Sequence, residues 1–324
     1  MARIIQIEQH GGPQVLVERS TRLEKPSDGQ IRIRQTAIGV NYHDVYVRSG
    51  LYKTLELPGI PGIEAVGIVE EIGPGVSGLS TGDRVAYVTG AYGCYAEARN
   101  LDARLAVRLP ACLGDAQAAA SFMKALTVYM LIHRVRQVRK GETILVHAAA
   151  GGVGRLLCSW ASHLGARVIG TAGSAEKADI ARKHGAADVI LYRQEDVPEC
   201  VRKLTGGEGV AATYDSVGAD TFSGSMESLG FEGHMVLYGQ ASGPVEPFTP
   251  QLLAGKSLTI TRPIIFHYLR SRDMLETMAQ ACFEAFETGV IEPIDPMEMP
   301  LGEAAKAHEL LEARQSPGGI VLIP

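Results

Sequence analysis

The sequence predicts an α/β protein in which a doubly wound parallel sheet is inserted into a β-rich domain. From about residue 141 to 262, apolar strand-like runs alternate with helical patterns, as in a parallel sheet with crossover helices. Residues 1 to about 110 instead contain short β-branched runs separated by glycine-rich turns. The chain ends on another apolar run, 319–323, whose natural strand partners lie in the β-rich part.

The β-rich part opens the chain with short strands, which turn signals such as Gly11-Gly12-Pro13 separate. Many short strands with glycine-rich turns indicate a small, partly open barrel. A long helical pattern follows at Ala116–His133. The strands expected in this part are 3–6, 15–19, 31–37, 65–72 and 84–88.

The alternating part contains six expected strands, and helical segments lie between most of them. After residue 262 the alternation stops, and helices are expected at 271–289 and 302–314 before the final strand. The six strands are expected at 143–148, 167–172, 188–192, 211–215, 234–239 and 257–262.

The turn after the first of these strands is the strongest functional signal. Its pattern, Ala148-x-x-Gly151-x-x-Gly154, is not a full G-x-G-x-x-G motif and is also compatible with a plain tight turn. Helical spacing resumes directly after it, so the small residues stand at a helix N-terminus. Free N–H groups and the helix dipole favour a pyrophosphate there. We therefore expect Gly151, Gly152 and Val153 to bind a dinucleotide cofactor.

The turn after the second strand favours NADPH over NADH. A site for NAD usually has Asp or Glu there, bonding the ribose 2′-hydroxyl. Here Gly173 and Ser174 occupy the position and Lys177 follows, which suits a 2′-phosphate. Lys177 is alternatively a solvated lysine, and Glu176 beside it is a counter-signal. Tyr192, at the end of the third strand, either covers the same phosphate or is simply half-buried.

Two further strands of the alternating part end in small or polar residues. Ligands of a doubly wound sheet bind beyond the carboxyl ends of its strands. Plain tight turns would explain the same residues. The positions expected to line the cofactor are Ser216, Gly218, Tyr238, Gly239 and Gln240.

The composition of the 324-residue chain is that of an ordinary globular protein, with 46% hydrophobic and 21% charged residues. Its net charge is −5 and its basic residues form no run, so we expect neither a nucleic-acid partner nor a membrane surface. The five cysteines are far apart and include no C-x-x-C pair, which indicates reduced thiols in the cytoplasm. The N-terminus lacks an apolar signal-peptide core, and no apolar run approaches membrane-spanning length.

Short motifs recur along nearly the whole chain, at His10–Pro13, Gly39–Asp44, Arg48–Tyr52, Gly82-Asp83, Ala118–Ser121, Leu126–Tyr129, Ala148–Gly154, Tyr214–Gly218 and Arg314. Together and in this order they resemble the medium-chain dehydrogenase/reductase superfamily, in its quinone oxidoreductase branch that includes zeta-crystallin. The resemblance implies a GroES-like catalytic domain, formed by 1–125 together with 263–324, around an inserted Rossmann domain, 126–262. It also implies NADPH as the hydride donor, and homodimers or tetramers formed largely through the nucleotide domains.

The resemblance also assigns site residues. It places five residues around the nicotinamide end of the cofactor, and it places Arg262 and Ser316 where family members contact the cofactor. Asn41, Tyr46 and Tyr52 are the expected catalytic residues, because either tyrosine would donate a hydrogen bond to the quinone oxygen that gains negative charge. Both tyrosines are alternatively half-buried aromatics of a loop. The five nicotinamide-end residues are Asn41, Asp44, Tyr46, Tyr52 and Tyr129.

No zinc is expected in this chain. Asn41 stands where zinc-dependent members of the superfamily have a cysteine ligand, and Ile63 stands where they have a histidine ligand. The segment that matches their four-cysteine lobe has only two cysteines. His43 and Glu64 are interpreted as structural. Without a Lewis acid to hold an alkoxide, alcohol dehydrogenation is disfavoured.

The sequence thus predicts a zinc-independent, NADPH-dependent quinone reductase, with the quinone stacked over the nicotinamide in the cleft between the domains. One alternative is reduction of activated C=C bonds in enones or alkenals, for which the sequence nominates no clear proton donor. The other is a non-catalytic NADPH- and RNA-binding protein, against which the net negative charge argues. No readable motif names the acceptor or decides between dimer and tetramer.

Overall fold

The computed structural model describes residues 1–313, 315 and 318–324, which separate into two compact units. The first unit comprises Met1–Met123, Leu269–Phe283 and Pro293–Pro324, and the second comprises Lys124–Tyr268 and Glu284–Glu292. The sequence-based bounds group 263–268 and 284–292 with the β-rich domain, whereas both segments lie in the second compact unit. Compact units defined by contacts are not domain bounds, so the bounds expected from the sequence stay a prediction.

The described strands, in chain order, are β1 (Ala2–Gln6), β2 (Val17–Thr21), β3 (Gln30–Val40), β4 (Glu64–Ile72), β5 (Arg84–Val88), β6 (Ala98–Asp102), β7 (Ala106–Arg108), β8 (Thr143–Val146), β9 (Arg167–Ala172), β10 (Ala186–Leu191), β11 (Val210–Asp215), β12 (Leu229–Leu237), β13 (Thr259–Thr261), β14 (Met297–Pro300) and β15 (Ile320–Ile323). The described α-helices are α1 (Tyr42–Ser49), α2 (Asp115–Tyr129), α3 (Gly152–His163), α4 (Ala175–Lys183), α5 (Val197–Leu204), α6 (Phe222–Ser228), α7 (Gln251–Ala254), α8 (Ile265–Tyr268), α9 (Arg272–Glu287) and α10 (Ala304–Glu312).

Seven of the described strands of the first unit form one sheet, in the order β14-β15-β3-β4-β5-β7 with β6 also paired to β3, and β1 and β2 pair with each other as a separate sheet. Strand β15 runs antiparallel to β3, with Ile320 opposite Val40. The expectation that the final strand joins the β-rich part is therefore confirmed. Alternation along β3 places Ile31 and Ile33 in the core and exposes Arg34, because successive side chains of a strand point to opposite faces.

Helix α1 is tied to the rest of the first unit by a buried arginine. It begins after Asn41 and ends at Gly50, whose left-handed φ of 83° suits a glycine at a helix C-terminus. Arg48, in its last turn, is only 2% exposed. The Arg48 guanidinium donates to both carboxylate oxygens of Glu312 in α10, each at 2.9 Å, and to the carbonyl oxygen of Gly11 at 3.1 Å.

The described strands of the second unit form a six-stranded parallel sheet in the order β10-β9-β8-β11-β12-β13. This is the strand order of a doubly wound nucleotide-binding fold, and it confirms the predicted parallel sheet. Strand β8 ends at Val146, two residues earlier than predicted, because Ala148 has a left-handed φ of 50° that no strand accommodates.

The predicted helix Ala116–His133 differs from the structure at its C-terminal end. Helix α2 stops at Tyr129, and a π-helical turn, Met130–Val135, continues the chain. The wider turn is visible in the hydrogen bond from the Arg136 amide to the Leu131 carbonyl oxygen, five residues back, at 3.2 Å.

We predict that Arg48→Met lowers the free energy of unfolding by about 2 kcal/mol, measured by urea denaturation. Removing one partner of a buried ion pair costs more, but Glu312 is 36% exposed and turns to water when the guanidinium is lost. Lys306→Met is the control. Lys306 lies in α10, the helix of Glu312, and both Lys306 and its partner Glu309 are exposed. Its expected change is below about 0.5 kcal/mol. Equal effects of the two substitutions would contradict the prediction.

Candidate functional site

The turn between β8 and α3 is folded tightly on itself. A methyl group on Gly154 would overlap the carbonyl oxygen of Ala148, so only glycine fits at that position. Ala148 accepts the Gly151 amide at 2.8 Å, and its own amide donates to the hydroxyl of Thr171 at 3.3 Å. The backbone of the turn is therefore fixed from both sides, and small residues are a requirement of this geometry.

The first backbone N–H groups of α3 have no side-chain cap. Gly151 is the residue before the helix, and no side chain caps the first amides there. Gly152 and Val153 open the helix with backbone N–H groups and the positive end of the helix dipole. These three predicted residues lie together and fit a pyrophosphate, because a side-chain cap would otherwise occupy the same N–H groups.

The four residues predicted to bind a 2′-phosphate lie at the carboxyl end of β9 or beside it. Tyr192 follows β10, and its amide donates to the Ala172 carbonyl oxygen at 3.2 Å. Its hydroxyl lies 2.9 Å from the point that a Cβ on Gly173 would occupy. Ser174 precedes α4, and its hydroxyl accepts the Lys177 amide at 3.4 Å. The Lys177 side chain is exposed on the first turn of that helix.

The other predicted cofactor residues of the second unit follow β11, β12 and β13. Gly239 approaches the Ser216 backbone so closely that an added Cβ would lie 2.5 Å from the Ser216 carbonyl oxygen. Tyr238 and Gln240 flank this contact, and the Tyr238 amide donates to the Asp215 carbonyl oxygen at 2.8 Å. Arg262 follows β13 and donates to the Leu237 carbonyl oxygen at 3.3 Å. These residues share the carboxyl edge of the sheet with the 148–154 turn, since the strands are parallel.

Tyr129 lies at the end of α2, in the second unit, within a small aromatic group. Its ring centroid is 4.7 Å from that of His133 and 6.0 Å from that of Trp160. Trp160 is the single tryptophan of the chain and belongs to α3, the helix that follows the small-residue turn.

In the first unit, buried carboxylates hold the residue predicted to be catalytic at the start of α1. The amide of Asn41 donates to Asp44 at 2.9 Å, and its side-chain amide donates to Glu64 at 2.6 Å. Glu64 is itself buried, and its other oxygen accepts the Met123 amide at 3.1 Å. Asn41 is therefore oriented by two acceptors.

The tyrosines predicted to act on the acceptor lie next to each other. The ring centroids of Tyr46 and Tyr52 are 5.0 Å apart, and His43 packs edge-on against Tyr52 at 5.5 Å. His43 also shares a hydrogen bond with the Tyr92 hydroxyl at 3.3 Å. Burial lowers the pKa of His43 to about 4, so this imidazole is neutral at pH 7.

Comparison with known families places both parts of the chain. Residues 27–111 match the model described as the alcohol dehydrogenase GroES-like domain, and residues 152–282 match the model described as zinc-binding dehydrogenase. Quinone oxidoreductase 1 of Escherichia coli is 43% identical over the full length of both chains. The chain belongs to the quinone oxidoreductase family. The predicted branch of the superfamily, and the GroES-like and Rossmann fold class, are thereby confirmed.

A solved structure and one further relative add to this comparison. The crystal structure of the Escherichia coli quinone oxidoreductase complexed with NADPH has a TM-score of 0.96 at 43% identity, and the match covers 99% of this chain and 100% of that chain. The 2-haloacrylate reductase of a Burkholderia species is 40% identical, over 98% of each chain.

The positions of zinc ligands in related dehydrogenases have other uses in this quinone oxidoreductase. Ile63 is fully buried, and the side-chain amide of Asn41 donates a hydrogen bond to Glu64. Among the described residues, no three His, Cys, Asp or Glu side chains form a group that would hold a metal ion. Within the same residues, no helix combines the length and apolar character needed to cross a membrane. Ser316 and Arg314 lie outside the described residues.

Sequence reasoning missed a buried network behind α1. The Tyr95 hydroxyl lies 3.2 Å from an oxygen of Asp44 and 2.9 Å from Nε2 of His308. His308 also lies 3.5 Å from the Arg48 guanidinium. Burial, and then the positive charge of Arg48, lower the pKa of His308 to about 3. No motif links these residues, which are far apart in the sequence and meet only in the folded unit.

We predict that His308 makes the protein less stable as the pH falls below about 6.5. The unfolded chain takes up a proton near that pH, whereas the folded protein excludes it until about pH 3. The stability contribution is therefore complete above pH 6.5 and is lost toward pH 3, by at most about 1.4 kcal/mol per pH unit.

Urea denaturation between pH 6 and pH 5 tests this, because carboxylates contribute little to the slope there. The His308→Gln variant should lose stability about 1 kcal/mol per pH unit less steeply than the unaltered protein. His163→Gln, at an exposed position of α3, is the matched control and should leave the slope unchanged. Parallel pH profiles for all three proteins would refute the assignment.

Proposed function

We propose that this protein is an NADPH-dependent quinone reductase that transfers a hydride or electrons from NADPH to a quinone without zinc. The observation that carries the proposal is the Escherichia coli relative, which is named a quinone oxidoreductase, is 43% identical over its full length and was solved with NADPH. The chain has, in the second unit, a turn and a sheet edge that fit the dinucleotide. It has, in the first unit, a group of tyrosines and an oriented asparagine that fit an acceptor.

Bound NADPH supplies the hydride, and the residues of the second unit hold the cofactor. The uncapped N-terminus of α3 binds the pyrophosphate through its N–H groups and its dipole. Ser174, Lys177 and Tyr192 bind the 2′-phosphate, and the N–H of Gly173 lies beside them. The turns that follow β11, β12 and β13 hold the remainder of the dinucleotide at the same edge of the sheet.

The residues of the first unit act on the acceptor. A quinone carbonyl oxygen gains negative charge as the quinone is reduced, and a hydroxyl that donates to it stabilises that charge. Tyr46 and Tyr52 are the proposed donors, because their rings lie side by side and Tyr46 belongs to the helix that begins after the oriented Asn41. His43, which packs edge-on against Tyr52, is neutral and therefore adds no charge beside the phenol. A quinone is already an electron acceptor, so positioning and exclusion of water supply most of the catalysis.

The function is tested by following nicotinamide absorbance with a quinone panel and an enone panel side by side, with NADPH and with NADH. We expect turnover of at least one ortho- or para-quinone, with NADPH much preferred. Rates with every quinone equal to the buffer rate, despite tight NADPH binding, would overturn the proposal and favour a non-catalytic role.

A second candidate reaction is reduction of an activated C=C bond. The Burkholderia relative, 40% identical, is named a 2-haloacrylate reductase, and the same scaffold and hydride serve both reactions. Turnover of enones or 2-haloacrylates without turnover of quinones would leave the cofactor assignment intact and replace the acceptor.

We also propose that the protein works in the cytoplasm as a homodimer. The separated cysteines support a reducing compartment, and Cys94, Cys158 and Cys282 are buried free thiols. In the second unit, β13 is an edge strand of the described sheet and Phe231 is 83% exposed, both features of a surface that pairs with another chain. A solution mass of twice 34.6 kDa is expected, and a monomer at micromolar concentration would contradict it.

We predict that Lys177→Met raises the KM for NADPH about tenfold and leaves the KM for NADH nearly unchanged. The substitution removes a charge-assisted contact with the 2′-phosphate, and a loss of about tenfold is the usual size of such a contact. NADH has no 2′-phosphate, so its binding does not depend on this contact. Lys183→Met, in the last turn of the same helix and paired with Glu292 at 3.3 Å, is the matched control. Steady-state kinetics with both cofactors checks this; an equal rise in both KM values would remove Lys177 from the 2′-phosphate site.

A further inference from the structure

A buried chain of polar side chains connects two of the turns at the carboxyl edge of the parallel sheet. His147 directly follows β8 and is only 3% exposed. Its Nδ1 lies 3.2 Å from the Thr171 hydroxyl oxygen, and its Nε2 lies 2.9 Å from the Ser225 hydroxyl oxygen. Ser225 in turn donates to Asp215 at 2.7 Å. All four side chains are buried within the second unit, and none of them was predicted from the sequence to be a site residue.

The direction of each hydrogen bond in this chain follows from its ends. The Asp215 carboxylate can only accept hydrogen bonds, so the Ser225 hydroxyl donates its single proton to Asp215. The Ser225 oxygen must then accept from Nε2–H of His147. Nδ1 of His147 is then the acceptor for the Thr171 hydroxyl, whose oxygen accepts the Ala148 amide. The chain thus runs in one direction from the Ala148 N–H to the Asp215 carboxylate.

This polarity requires a neutral His147. Burial lowers the pKa of His147, while the charge of Asp215 acts in the opposite direction. A proton on Nδ1 would force the Thr171 hydroxyl hydrogen to turn away, because Nδ1–H and the Ala148 amide would then both donate to the Thr171 oxygen. The Thr171 hydroxyl thus couples the protonation state of the His147 imidazole to the position of the Ala148 amide in the 148–154 turn.

At its other end, the chain fixes the turn after β11. Asp215 accepts the amides of Val217 at 2.8 Å and Gly218 at 3.1 Å, as well as the Thr221 hydroxyl at 2.7 Å. The carboxylate is fully buried, and these donors and Ser225 satisfy it. The hydrogen-bonded side chains thus join the 148–154 turn to the 216–218 turn.

We propose that His147, Ser225 and Asp215, with Thr171, are positioning residues that set the affinity for the nicotinamide cofactor by locking these two turns into one arrangement. The inference rests on the proposed NADPH site and adds to it residues that touch no cofactor. A turn that binds through backbone N–H groups loses affinity when its backbone shifts, because each N–H must point at the anion.

The test is a double-mutant cycle between two residues that do not touch each other. Thr171→Val and Ser225→Ala remove the hydroxyls on opposite nitrogens of His147. NADPH binding is followed by quenching of Trp160, the single tryptophan, and steady-state kinetics give KM and kcat. We expect each variant to bind NADPH about fivefold more weakly, which is about 1 kcal/mol. We expect kcat at saturating NADPH to stay within about twofold.

The double variant distinguishes a connected chain from two separate packing contacts. Loss of one connected chain predicts about fivefold weaker binding for the double variant too, whereas independent contacts predict roughly 25-fold. Thr213→Val and Ser228→Ala are matched controls of the same chemistry. Thr213, in β11, has a buried hydroxyl without a hydrogen-bond partner, and Ser228, in α6, bonds only its own helix at 2.7 Å. Neither control should change the affinity for NADPH.

Additive losses, or losses confined to kcat, would overturn the inference. Should Thr171→Val or Ser225→Ala fail to fold, Ser225→Cys replaces them, because the thiol keeps the shape of the side chain and donates weakly. Ser225→Cys that binds NADPH as tightly as the unaltered protein would then overturn the inference. If the unaltered protein itself binds no NADPH, the proposed function fails and the chain of side chains is merely structural.

Discussion

The absence of space around Gly154 is the constraint on which the cofactor half of this protein depends. Any side chain there would overlap the Ala148 carbonyl oxygen, and Ala148 itself adopts a left-handed φ of 50°. These two conditions end β8 at Val146 and let α3 begin at Gly152, with its first amides uncapped. The same compact turn that closes the strand–helix connection therefore provides the proposed anion site, so packing and the proposed binding impose the same small residues.

Buried carboxylates fix the backbone next to candidate site residues in both units. Asp215 orders a turn in the second unit, and Glu64 and Asp44 orient the start of α1 in the first. Each carboxylate is almost completely removed from water, and each accepts from backbone amides or neutral side chains. A buried charge is costly unless it is well hydrogen-bonded, so the geometry around each one is narrowly defined. Such groups position loops that apolar packing alone would leave adaptable.

The fold was predictable because its signals are local and repeated. Six strands with crossover helices, and a final strand that seeks a partner, are visible in hydrophobic periodicity, and β15 indeed pairs with β3. The candidate site residues at strand ends, such as Gly173 and Ser216, were predicted from the topology alone and stay a prediction. The networks did not, because Glu64 meets Asn41, His308 meets Tyr95, and Ser225 meets His147 across long stretches of chain. A side chain that acts through another side chain leaves no spacing pattern in the sequence.

The most direct test of quinone reduction by this protein is a single turnover. Protein preloaded with one equivalent of NADPH is mixed with excess quinone in a stopped-flow instrument, and nicotinamide absorbance and hydroquinone formation are recorded together. We expect that one hydroquinone, or two semiquinones that disproportionate to one, appears for each NADPH consumed, and that Lys177→Met slows this only when NADPH is subsaturating. Persistence of bound NADPH while the quinone stays oxidised would contradict reduction of quinones by this protein.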